Sequence, residues 1–137
     1  MKKTLCTTAI LLLTPQLGKA QEASIDSCQH PTNSNQIFEC SEKERSHADK
    51  KLNEAYKKLL ARVEKQYSTS PELKEKLTLE IRKSQRTWIK LRDIDCNLEA
   101  FQIEPRSQTY ETTTNKCIAR LSEARSKYLD KNISPDL

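Results

Sequence analysis

A chain of 137 residues, 31% of them charged and only 35% hydrophobic, is sized for one domain with a modest core. The formal charge of +5 comes largely from Lys2, Lys3 and Lys19 near the start, so it is no basis for a nucleic-acid partner, which needs a basic stripe in the folded domain. The single glycine is Gly18, which excludes glycine-rich phosphate-cradling loops from everything after it.

Residues 1–20 have the layout of a secretory leader. Lys2 and Lys3 form a basic start, Leu5 to Leu17 an apolar stretch, and Gly18-Lys19-Ala20 a small-x-small cleavage site. The apolar stretch is too short and too interrupted for stable membrane insertion. Cys6 lies early in it, away from any lipid-attachment position. The chain is expected to be exported, to the periplasm or outside the cell, and to start at Gln21 with a net charge of +2 once the three lysines are gone. In an oxidising compartment, the four remaining cysteines, Cys28, Cys40, Cys96 and Cys117, read as two disulfides. No C-x-x-C is present, and Cys28-x-His30 lacks a second ligand pair, so neither a metal nor another cofactor is expected.

Residues 21–36, polar and holding Pro31, are predicted to be an irregular arm. A helical domain follows over 37–130. Ala48, Leu52, Ala55, Tyr56, Leu59, Leu60 and Val63 recur at helical spacing up to about Tyr67. Ser68-Thr69-Ser70-Pro71-Glu72 is a boundary: Ser70 suits an N-cap, Pro71 the first helical position, and Glu72 the positive helix end. A second helix to about Ala100 carries Leu73, Leu77, Ile81, Trp88, Leu91 and Leu98 as its apolar stripe. Glu104 to Asn115, with Pro105 and three consecutive threonines, is predicted to be a loop. A third helix is expected over Lys116 to Asp130, with Cys117, Ile118, Leu121, Arg125, Tyr128 and Leu129 inward, and residues 131–137 as a tail.

The fold class is therefore all-α: a long antiparallel helical hairpin plus a shorter third helix, stapled by two disulfides. All four cysteines collect at one end of the hairpin. Cys28–Cys40 with Cys96–Cys117 closes short local loops and is preferred; Cys40–Cys96 with Cys28–Cys117 is also geometrically open.

Gln85, Trp88, Ile89, Arg92 and Cys96 share a face of the second helix. Arg92 is placed to reach Asp49 or Asn53 on the first, giving a charge-assisted brace. Asp49, Asn53, Tyr56, Gln85, Arg86, Trp88, Arg92 and Asp93 are expected to form a structural seam. Asp93 and Asp95 project to different faces and make no carboxylate pair for glycoside hydrolysis. His30 and His47 lie in polar surroundings with no nucleophile–base signature, and no catalytic residues are expected.

Cys28…Cys40, Ala48-Asp49-x-x-Leu52-Asn53-x-x-Tyr56, Gln85-Arg86-x-Trp88-Ile89-x-x-Arg92-Asp93-x-x-Cys96 and Cys117…Arg125…Leu129 together resemble the LprI N-terminal domain family, small exported helical bacterial proteins named for a lysozyme inhibitor. The resemblance runs from about Cys28 to Leu129. It implies an envelope protein without chemistry of its own, whose partner is a protein such as lysozyme. A periplasmic immunity or accessory protein that binds a secreted toxin or envelope component is the other reading. Long loops on rigid scaffolds are often functional, so Arg106, Tyr110 and Glu111 in the connection before the third helix are the candidate partner-binding residues.

Overall fold

The computed structural model describes residues 28–133. The expected leader, its cleavage site and residues 21–27 of the arm lie outside these residues, as do positions 134–137. The chain divides into Met1–His30 and Pro31–Leu137. The first contributes only a short helical piece at 28–29 to what is described. The second is all-α: a long hairpin of α1 (Ser34–Gln66) and α2 (Pro71–Glu99) followed by the shorter α3 (Gln108–Lys131), with no strand among the described residues.

Helix α1 begins three residues before the predicted start, inside the expected arm. Its N-cap is Asn33, whose side chain accepts from the Gln36 N–H at 3.0 Å. Gln36 reaches back to accept the Thr32 N–H at 2.7 Å. Asn33-x-x-Gln36 is thus a reciprocal capping arrangement that satisfies amides the helix itself cannot. The 33 residues of α1 extend roughly 50 Å.

The turn 67–70 ends as expected at Pro71. Ser70 occupies the cap position, but its hydroxyl makes no cap bond. Proline at the first position and Glu72 in the first turn are left to favour this start.

The predicted loop from Glu104 to Asn115 is largely helix. Only about Ala100 to Ser107 connects α2 to α3, and Ser107 caps α3 by accepting the Tyr110 N–H at 3.1 Å. The threonine run stays helical because Thr114 donates its hydroxyl back to the carbonyls of Tyr110 and Glu111, at 3.1 and 3.0 Å. Burial of Thr114 and Asn115 overrides their weak helix propensity. Asn115 accepts from Arg45 Nη1 at 3.0 Å and donates to Ser41 Oγ at 3.3 Å, both on α1.

Helix α3 packs most closely along α1, while α2 lies against α3 and meets α1 least. The sequence explains the asymmetry. The buried residues facing across α1 and α3 include Ser41, Ala48 and Ala55 on one side and Ala119 and Ser122 on the other. Small side chains let helix axes approach. Three of the four buried positions of α2 are bulkier, Ile81, Gln85 and Arg92, the fourth being Cys96 in the disulfide. One core cluster joins Leu52, Ala55, Leu59, Val63, Ile81 and Leu129; a second forms around Cys96, Cys117 and Ile118. Arg62 of α1 closes the far end of α3, donating from Nη2 to the Leu129 carbonyl at 2.6 Å and to that of Ile133 at 3.3 Å, where the helix dipole favours a cation.

The apolar stripe predicted for α2 is partly reversed. Leu77 and Trp88 pack against the core and Ile81 is within it, but Leu73, Leu91 and Leu98 are exposed. The line that turns inward is Ile81, Gln85, Trp88, Arg92, Cys96 and Ala100. Hydrophobicity alone misplaces this face, because two of its inward residues are polar and are held by specific partners. Tyr128 of α3, expected inward, is also exposed.

The disulfides follow the preferred connectivity. Cys96 bonds Cys117 with Cα atoms 5.5 Å apart, and Cys28 and Cys40 are disulfide-bonded as well. A Cys40–Cys96 bridge is thereby ruled out.

Candidate functional site

The residues singled out by sequence separate into three places: an arginine joint, an open cleft, and a disulfide-anchored corner.

Arg92, buried on α2, is the joint. Its Nη1 donates to Asp49 Oδ1 on α1 at 2.8 Å and to Ser122 Oγ on α3 at 2.9 Å. Ser122 donates in turn to the same Asp49 oxygen at 2.9 Å. The remaining guanidinium face is taken by Asp93, which accepts from Nε at 2.9 Å and Nη2 at 2.8 Å. One guanidinium thus ties all three helices with charge-assisted bonds, and the planar fork of arginine suits this better than a lysine.

Trp88 lies between Arg92 and Arg125, whose guanidinium carbons are 5.6 and 5.5 Å from the ring centroid. Arg125 also covers Tyr128 at 5.0 Å and donates to Gln85 Oε1 at 3.2 Å and Ser84 Oγ at 3.0 Å. Burial lowers the Arg125 guanidinium from its ordinary value, a tendency opposed by Tyr128. Trp88 therefore stacks between cations and works with Arg125 toward α3 as much as with α1. Ser122 is the member of this network that the sequence did not signal, since a lone serine in a helix has no distinguishing pattern.

Asn53, Tyr56 and Arg86 do not join the network. With Arg82, Gln85 and Ile89 they line a cleft of about 310 Å³ between α1 and α2. A larger hollow on the outer side of α1, from Glu39 to Lys50, mixes Glu39 and Glu42 with Lys43 and Lys50. It is a shallow single-helix surface with no preference of charge.

The corner is where α2 passes into α3. Arg106 sits in the connection with φ of 65°, the left-handed region in which a non-glycine residue is strained. Tyr110 and Glu111 are in the first turn of α3 and not in a loop. The Tyr110 hydroxyl donates to Asn97 Oδ1 on α2 at 3.1 Å, bracing the same corner that Cys96–Cys117 closes. Leu91, Ile94, Leu98 and Phe101 stand out from it, 54 to 80% exposed. Their spacing of three, four and three residues places them on one side of the helix and its exit. Sequence analysis missed this ridge because two of its members were assigned to the core.

Among the described residues, no group of three or more His, Cys, Asp or Glu side chains could hold a metal ion, and no helix is long and apolar enough to cross a membrane.

Comparison with known proteins places this geometry. No curated protein matches the chain. A crystal structure of a DUF1311 family protein from Pseudomonas putida KT2440 is similar, with a TM-score of 0.68 and 29% identity, covering 77% of this chain and 97% of that one. The model of the family described as "Lysozyme inhibitor LprI" matches residues 26–129, a span that takes in α1, α2, all but the last two residues of α3, the joint, the cleft and the corner. The chain belongs to the LprI lysozyme-inhibitor family.

Proposed function

We propose that this is an exported binding protein, without catalysis of its own, that inhibits a lysozyme-type muramidase by occluding its substrate cleft. The observation that carries the reading is the family match over residues 26–129. The apolar ridge Leu91, Ile94, Leu98 and Phe101 supplies a contact surface of the required kind. Phe101 is 80% exposed, and large aromatic side chains are favoured anchors at protein interfaces. The ridge is held from behind by the Cys96–Cys117 bridge and the Tyr110–Asn97 bond, which reduces the ordering cost of binding. Tyr110 is tied to α2 next to Leu98 through Asn97, Glu111 lies in the same turn of α3, and Arg106 is in the connection that follows Phe101. A carboxylate in that first turn also favours the helix end.

Turbidity of cell walls under lysozyme, measured with stoichiometric protein across structurally distinct lysozyme classes, tests this. Inhibition of at least one class is expected, with Leu98→Asp/Phe101→Asp weakening it by roughly a hundredfold or more while the circular dichroism stays helical. Undiminished lysis in every class would overturn the reading.

A further inference from the structure

We infer that the cleft between α1 and α2 is a binding site for an oxyanion, carboxylate or phosphate, carried on a ligand of amino-acid or monosaccharide size. This stands apart from muramidase inhibition: it concerns another face of α2 and a different class of ligand.

The cleft is donor-rich. Arg82 and Arg86, both exposed on α2, are four residues apart and so lie side by side on the helix surface. Neither makes a hydrogen bond or ion pair among the described residues. No acidic residue lies three or four positions before or after either, so no facing carboxylate on their own helix offsets the mutual repulsion. Gln85 has its oxygen occupied by Arg125, which leaves its amide N–H groups uncommitted. Across the cleft, Asn53 offers an amide and Tyr56 a phenol. Against these donors the lining side chains hold the Gln85 oxygen, already taken by Arg125, the Asn53 carbonyl and the Tyr56 oxygen as acceptors, and no carboxylate.

None of the neighbouring acids lines the cleft: Glu80, two residues before Arg82, and Glu54, next to Asn53, are exposed outside it, and the others are engaged or distant. Asp49 and Asp93 are held by Arg92, and Glu64 is paired with Lys74 at 2.8 Å. Glu75 is seven residues before Arg82, about 10 Å along the axis. The loose approach of α2 to α1 leaves the space open, and Ile89 gives it one apolar wall. A planar carboxylate or a phosphate accepts paired guanidinium N–H groups, and the geometry of arginine favours this over a point cation. The volume of about 310 Å³ is near the lower limit for small-molecule sites.

The test uses the disulfide-intact protein, titrated with acetate, glucuronate, N-acetylglutamate and inorganic phosphate, with glucose as the neutral control. Side-chain Nε–H signals of Arg82 and Arg86 and the thermal midpoint are followed. At least one anion should shift both signals and raise the midpoint, while glucose does neither. A preference between phosphate and the carboxylates identifies the group the site takes. Arg82→Gln/Arg86→Gln should weaken binding by about tenfold or more, with an unliganded midpoint unchanged or raised because a repulsive pair is gone. Asn53→Glu, which places a carboxylate in the cleft, should abolish binding by occupying the arginines. No response to any of the four anions, equal response to glucose, or binding that survives both variants would overturn the inference.

Discussion

The two seams that α1 makes along its length are built on opposite plans. Toward α3 it presents Ser41, Ala48 and Ala55 to Ala119 and Ser122, and the helices close on each other. Toward α2 it presents Asp49, Asn53 and Tyr56 to Arg82, Gln85, Arg86 and Arg92, and the helices meet less closely, through the Arg92–Asp49 bond, the Lys74–Glu64 pair and Ile81 in the shared core. The first seam excludes water with small side chains. The second is held by a polar joint at Arg92 and by Ile81 nearer the turn, and leaves a cleft beside the joint. Stability and recognition are thereby separated along a single helix: the closed seam can fix the fold while the open one keeps donors free.

Substitutions in the two seams should differ accordingly. The largest effect is expected in the closed core. Leu59 is fully buried, and Leu59→Ala should cost about 3 kcal/mol through lost burial and the cavity left behind, read from denaturant unfolding. At the joint, Arg92→Gln should cost about 2 kcal/mol. It removes the partner of Asp49, whose side chain is 35% exposed, so water recovers part of what a fully buried carboxylate would lose. Ser122→Ala should then add little in the Arg92→Gln background, a non-additivity that a double-mutant cycle measures. In the open seam, Asn53→Ala should change stability by no more than about 0.5 kcal/mol. A loss there as large as at Arg92 would show that the cleft is part of the scaffold and would erase the contrast.

The same contrast explains what could be read in advance. The inward stripe of α1, the turn at Ser70-Pro71-Glu72 and the Cys96–Cys117 pairing were all legible, because each rests on local spacing or on chain geometry near the bridge. The start of α3 was not. Three threonines and Pro105 signal a loop, and only the contacts of Asn115 with Ser41 and Arg45, with Thr114 bonding back to its own helix, tip that stretch into a helix. The start of α1 is signalled locally by Asn33-x-x-Gln36, against the polar composition around it.

For the site, residues that periodicity groups into one seam are divided by the structure between a joint and an opening. Arg92 and Asp49 do meet. Asn53, Tyr56 and Arg86, expected in the same seam, face an opening, and the exposed ridge at Leu91, Ile94, Leu98 and Phe101 was partly counted as core. The cause is rotational. Periodicity says that residues share a face of a helix, but not which face turns inward when apolar residues lie on more than one side.

By itself, the sequence determined an all-α chain with two disulfides, where its helical hairpin turns, and which residues mark its family, because helical period, turn chemistry and cysteine number are local or compositional. The tertiary structure alone decided which face of α2 is buried. The Arg92 guanidinium is buried between helices because Asp49, Ser122 and Asp93 receive its N–H groups there, and those partners come from three different helices.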